Sequence, residues 1–96
     1  MDERSSVRVV SDLEVDFLAG ASTDRAVLYN VSAGGCMLGV ASEIPEELEF
    51  LCVKLAGLPI DGHIVWRRCG GVGVRFLRGV HPVLVDQLAY RDRRRR

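Results

Sequence analysis

Apolar and polar residues alternate along the early part of the chain. Leu13, Val15 and Phe17 are separated by Glu14 and Asp16, the period of two that marks a strand with one buried face. The small and polar run from Gly20 to Asp24 predicts a turn, and Ala26 to Val31 behind it is rich in strand formers, so the two segments read as a hairpin. Ser32 to Gly35 break the second strand, and Cys36, Leu38 and Val40 resume the alternation. Pro45, within Ser42 to Glu47, interrupts pairing, and Phe50 to Leu55 follows as a nearly continuous apolar strand. After a turn at Gly57 to Pro59, Ile60, Gly62, Ile64 and Trp66 are expected on one face, with Asp61, His63 and Arg67 on the other. Gly70 and Gly71 turn the chain again, and Val72, Val74 and Phe76 alternate with Gly73 and Arg75. About six short strands at this spacing suit a sandwich or a barrel, and closure into a barrel removes exposed edges. From Val80 the period lengthens. Val80, Leu84 and Leu88 recur every four residues, Pro82 suits a first helical turn and Arg91 the last. One C-terminal helix is predicted, its apolar face against the strands, because an isolated helix of about a dozen residues is marginal in water.

Length and composition narrow the class. With 96 residues, 48% hydrophobic and 27% charged, the chain suits one small globular domain with a modest core. No stretch approaches the ~20 apolar residues of a membrane span, and Met1 to Arg8 is too polar for a secretory signal. No membrane insertion and a cytoplasmic location are therefore expected. Cys36, Cys52 and Cys69 are odd in number and form no CxxC pair, which argues against a disulfide framework or a zinc site and for free, mostly buried thiols. The formal charge is zero, but Arg93 to Arg96 mask an acidic body: without them nine basic residues face thirteen acidic ones. Such a body makes a poor general nucleic-acid binder, with few aromatics for stacking, so any phosphate recognition must be local.

The chain lacks the parts of an enzyme. His63 falls on a strand's polar face and His81 directly precedes Pro82, so both read as surface residues. No HExxH, phosphate-loop glycine pattern or paired-carboxylate motif occurs. Two polar constellations remain. Arg4-Ser5-Ser6-Val7-Arg8 places two guanidinium groups four positions apart just before the first strand, which by itself suits a solvated arm better than a binding site. Asn30-Val31-Ser32-Ala33-Gly34-Gly35 interrupts two apolar strands. Asn30 offers two donors and an acceptor, Ser32 a hydroxyl, and the paired glycines let the backbone turn and approach a ligand without a Cβ in the way. The same residues also suit a plain turn or bulge whose side chains bond their own backbone.

Together, in this order and 22 positions apart from Arg8 to Asn30, the RxxxR and [Asp/Asn]xSxxG constellations resemble the PilZ family. The later segments Ile64-Val65-Trp66 and Gly71 to Phe76, and a helix behind them, extend the resemblance over nearly the whole chain. It implies an all-β fold, a six-stranded antiparallel barrel with one C-terminal α-helix, and a non-catalytic bacterial receptor for cyclic di-GMP. Arg4 and Arg8 would then hold phosphates and guanine faces, while Asn30, Ser32 and the Gly35 turn meet guanine edges. Guanidinium groups do pair bidentately with phosphate or with guanine O6 and N7, and they stack on planar bases. Family members often carry an extra arginine beside the first motif arginine, whereas Glu3 and Ser5 flank Arg4 here, which leaves ligand stoichiometry open. The implied organisation is an arm at 1–8, a barrel with helix at 9–92 and a basic tail at 93–96. The arm is expected to order over the barrel only when nucleotide compensates its lost entropy. Any signal would pass to a separate, unidentified partner protein. The alternative is a PilZ-like interaction module that works without ligand. A small nucleic-acid-binding barrel using the arginine tail is a third reading, which the acidic body disfavours.

Overall fold

The computed structural model describes residues 9–95, with side chains as far as residue 88. The arm that carries Arg4 and Arg8 lies outside the described residues. Six strands and one helix follow in chain order: β1 Val9–Ala19, β2 Ser22–Ser32, β3 Gly35–Val40, β4 Phe50–Leu55, β5 Leu58–Arg68, β6 Gly71–Phe76 and α1 Pro82–Arg95. All pairings are antiparallel, and they close into a barrel in the order β1-β2-β3-β6-β5-β4. The closing seam between β1 and β4 is short, with Phe17 opposite Val53 and Leu18 opposite Cys52.

The predicted inward positions fill the interior. Leu13, Val15, Phe17, Leu38, Val72, Val74 and Phe76 are all buried, and Leu28 of β2 and Leu51, Val53 and Leu55 of β4, to which the sequence pattern assigned no face, are buried with them. Leu84, Val85 and Leu88 of α1 join the same cluster, and the helix packs on β1 and β2. The irregular segment between β3 and β4 sets Ile44 and Leu48 against this core, and a bond from the Leu48 N–H to the Pro45 carbonyl, 3.1 Å, shapes it. α1 opens with the Val83 N–H donating to His81 Nδ1 at 3.1 Å and the Leu84 N–H to the His81 carbonyl at 2.9 Å. His81 is thus an N-cap, a role in which a side-chain acceptor satisfies an otherwise unpaired helical N–H.

Several boundaries differ from the sequence expectation. β2 begins at Ser22, because the polar residues 22–24 pair with Ala19, Leu18 and Phe17; Gly20, at φ 65°, makes the turn almost alone. The β4–β5 turn lies at Ala56 and Gly57, with φ 53° and 81°, and Leu58 and Pro59 already pair with Leu55 and Lys54. Proline is tolerated there because β6 pairs with β5 only from Gly62 onward. α1 continues through Arg95 and takes in three of the four arginines read as a separate tail, in keeping with arginine's good helix propensity.

The largest correction concerns Trp66. Ile64 pairs with Val74, but Trp66 pairs with Gly73, so β5 carries an extra residue at Val65. A bulge of this kind reverses which face the following side chains take. Trp66 therefore leaves the core face of Ile64 and lies outside the barrel, where its indole occupies the space a Cβ on Gly73 would need. A second irregularity at Tyr29, between the Leu28–Leu38 and Asn30–Met37 pairs, leaves Tyr29 45% exposed and returns Val31 to the interior.

Candidate functional site

Ser32 and Gly35 are the last pair of the β2–β3 hairpin, with Ala33 and Gly34 as the turn between them. Ser32 is 4% exposed, and its Oγ accepts the Gly34 N–H at 3.3 Å. The hydroxyl proton is still available for donation outward. Neither Ala33 nor Gly34 has a positive φ, so the turn does not depend on left-handed backbone. Gly35 is needed for a different reason: a Cβ there would run into the Val74 carbonyl of β6. Asn30 is half-buried, opposite Val10 of β1 and Met37 of β3.

The turn is tied to the approach to the helix. The Phe76 N–H donates to the Gly34 carbonyl at 2.9 Å and the Val80 N–H to the Ala33 carbonyl at 2.8 Å. The strand to which residues 1–8 are joined starts at Val9, paired with Val31. The attachment point of the arm therefore lies beside the turn.

Beside the turn, the outer wall of β3, β6 and β5 forms an open cleft of about 580 Å³ whose lining includes Ser32, Gly35, Val65, Trp66, Gly73 and Arg75. Arg75 is exposed and is the only basic side chain among the described lining residues. Trp66 is half-buried, with the Arg68 guanidinium carbon 5.4 Å from its ring centroid. His63 lies across from Arg75 on one side and Phe50 on the other, 5.3 Å from the Phe50 ring, and its Nδ1 is buried with no hydrogen-bond partner among the described residues. It is thus half-buried rather than a plain surface residue. Below it on the wall, Cys52 faces Asp61. Burial, then the Asp61 carboxylate as charge and hydrogen-bond acceptor, pushes the Cys52 thiol above its ordinary range.

Of the residues singled out in the sequence, Ser32 and Gly35 line the cleft, Asn30 flanks the turn, and Arg4 and Arg8 lie outside the described residues. Trp66 and Arg75 were missed as site residues. Arg75 was legible as an outward position between Val74 and Phe76, but nothing local to it marks a cleft. An arrangement of hydroxyl, close backbone, flat aromatic ring and guanidinium suits a planar, anionic ligand.

The family model described as PilZ domain matches residues 2–89. Among solved structures, the PilZ domain of YcgR from Escherichia coli, determined with c-di-GMP, is similar at 21% identity and a TM-score of 0.60, covering 98% of this chain and 94% of that one. The Bacillus subtilis inhibitor of motility MotI/DgrA is similar at 19% identity and a TM-score of 0.57, covering 99% of this chain. This chain spans 52% of the length of MotI/DgrA. No match is found among curated proteins. No helix among the described residues is long and apolar enough to cross a membrane.

Proposed function

The chain belongs to the PilZ domain family, and from that premise we propose that it is a non-catalytic cytoplasmic receptor for cyclic di-GMP that relays nucleotide level to a separate protein. The observation that carries the reading is that the Ser32–Gly35 turn opens onto a cleft holding a guanidinium and an indole. Arg4 and Arg8, in the segment that precedes β1, supply charge-assisted bonds to the phosphates and guanine edges, each worth roughly 1.5–3 kcal/mol net. Asn30 and the outward donor of Ser32 read guanine acceptors. Gly35 lets the ligand and β6 come close without a Cβ, and Arg75 adds positive charge to a body that is otherwise acidic. The hydrogen bonds that the Val80 and Phe76 N–H groups donate to the Ala33 and Gly34 carbonyls give occupancy of the turn a direct hold on the approach to α1, which supports a relay.

One observation favours the ligand-independent interaction module: Ser32 Oγ already serves its own turn. Calorimetry separates the two readings. The receptor binds cyclic di-GMP and binds linear GMP far more weakly. Arg4→Ala or Arg8→Ala weakens cyclic di-GMP at least tenfold, about 1.4 kcal/mol, with the melting temperature of the free protein unchanged. Ser32→Ala lowers both affinity and stability. Absence of binding heat at high micromolar cyclic di-GMP, with folded protein, leaves the interaction module as the function.

A further inference from the structure

Gly79 borders both the cleft beside the turn and a second, more apolar groove of about 670 Å³. Leu58 and Ile60 of β5, Leu77 and Val80 of the segment leading to α1, and Leu84 of α1 line it. Leu58 is 53% and Leu77 57% exposed, so covering them would stabilise an association by taking apolar surface out of water. A strand edge also opens here, because β6 pairs with β5 only from Gly62 onward. It does not invite an added strand: Pro59 has no N–H to give, and the Asp61 carbonyl already accepts the Leu77 N–H at 3.0 Å. The groove therefore meets a partner with side chains.

We propose that this groove is the face through which two copies of the chain associate about a twofold axis. Its charges select that occupant. Asp61 and Arg78 line the same groove, both exposed, and neither takes part in an ion pair among the described residues. An apolar centre bordered by one carboxylate and one guanidinium is complementary to itself, since a twofold axis sets Asp61 of each copy against Arg78 of the other and buries the exposed leucines between them. A partner of one dominant charge would be repelled by one of the two. The remaining titratable group at the border, His81, is engaged in capping α1. The formal charge of the chain is zero, so no long-range repulsion opposes the approach of two copies.

Sedimentation velocity of the full chain over a series of concentrations reads the dimer constant for the wild type, Leu77→Ser, Asp61→Arg, Arg78→Asp and an equimolar mixture of the two charge variants. The wild type is expected to dimerise at micromolar concentration, and Leu77→Ser to weaken the dimer. Each charge variant places like charges in contact twice in its own dimer and is expected to weaken association roughly tenfold or more. In the mixture each variant supplies the charge that the other has reversed, so association returns towards the wild-type strength, a recovery that a merely structural effect of either substitution would not give. A wild type that stays monomeric throughout overturns the inference, as does a dimer that these substitutions leave unchanged or a mixture that associates no better than its components. If a charge variant does not fold, Leu58→Ser and Leu77→Ser, both at exposed positions, decide: loss of the dimer upholds the groove as the interface, and an unweakened dimer overturns it. Nucleotide binding is read separately by calorimetry, so neither result depends on the other.

Discussion

Cys36, Cys52 and Cys69 show how far position alone sets the chemistry of one residue type. All three are free thiols, but Cys36 is in the core, Cys69 is exposed at the tip of the β5–β6 hairpin, and Cys52 is half-buried against Asp61. Because the thiolate is the reactive form, burial and the neighbouring carboxylate keep Cys52 protonated and slow at neutral pH. Alkylation followed by mass spectrometry should modify Cys69 first, Cys52 much later and Cys36 only on unfolding. Asp61→Asn removes one of the groups that raise the Cys52 thiol, so it should speed Cys52 alkylation at fixed pH; an unchanged rate would leave burial as the whole cause. At the same scale, Asn30, Ser32 and Gly35 were legible as a constellation because their spacing is local and fixed by a hairpin. The reason for Gly35 was not legible, since it lies in the approach of Val74 from a strand some forty residues later.

At the level of elements, the alternation of Leu13 to Phe17 and of Val72 to Phe76 translated directly into buried faces, while β5 did not. A single extra residue at Val65 moves Trp66 from the core to the outer wall, and nothing in Ile64-Val65-Trp66-Arg67 announces it. Bulges arise from what the neighbouring strands demand of closure and twist, which a strand's own sequence does not contain. The helix is the opposite case, since its apolar period and Pro82 predicted it. Its start depends on His81, which caps the Val83 N–H from an exposed position. His81→Ala should cost about 1 kcal/mol in urea unfolding, and His81→Asn, which restores a capping oxygen, should recover most of it. Equal stability of all three proteins would mean that water replaces the cap at no cost.

The whole molecule couples the site to the helix through the barrel's end. The carbonyls of Ala33 and Gly34 hold Val80 and Phe76, so a ligand that fixes the turn should also fix the approach to α1. Amide exchange at Val80 and Phe76 is expected to slow with saturating cyclic di-GMP, and exchange there unaltered by bound nucleotide would show that binding at the turn is not passed to α1. The same binding should stabilise the fold by roughly 2.7 kcal/mol at a hundredfold excess over Kd, visible as a raised melting temperature. A core in which Leu28, Leu38, Leu55 and Val53 are fully buried gives the scaffold its rigidity. From the sequence alone came the strand and helix pattern, the one-domain size, the turn motif and, through resemblance, the family, because each depends on local spacing or on short-range periodicity. The cleft itself, the seating of Trp66 on Gly73, the steric need for Gly35 and the tie between the turn and α1 were decided only by tertiary structure. Each joins residues from strands distant in sequence, brought together when the sheet closes on itself.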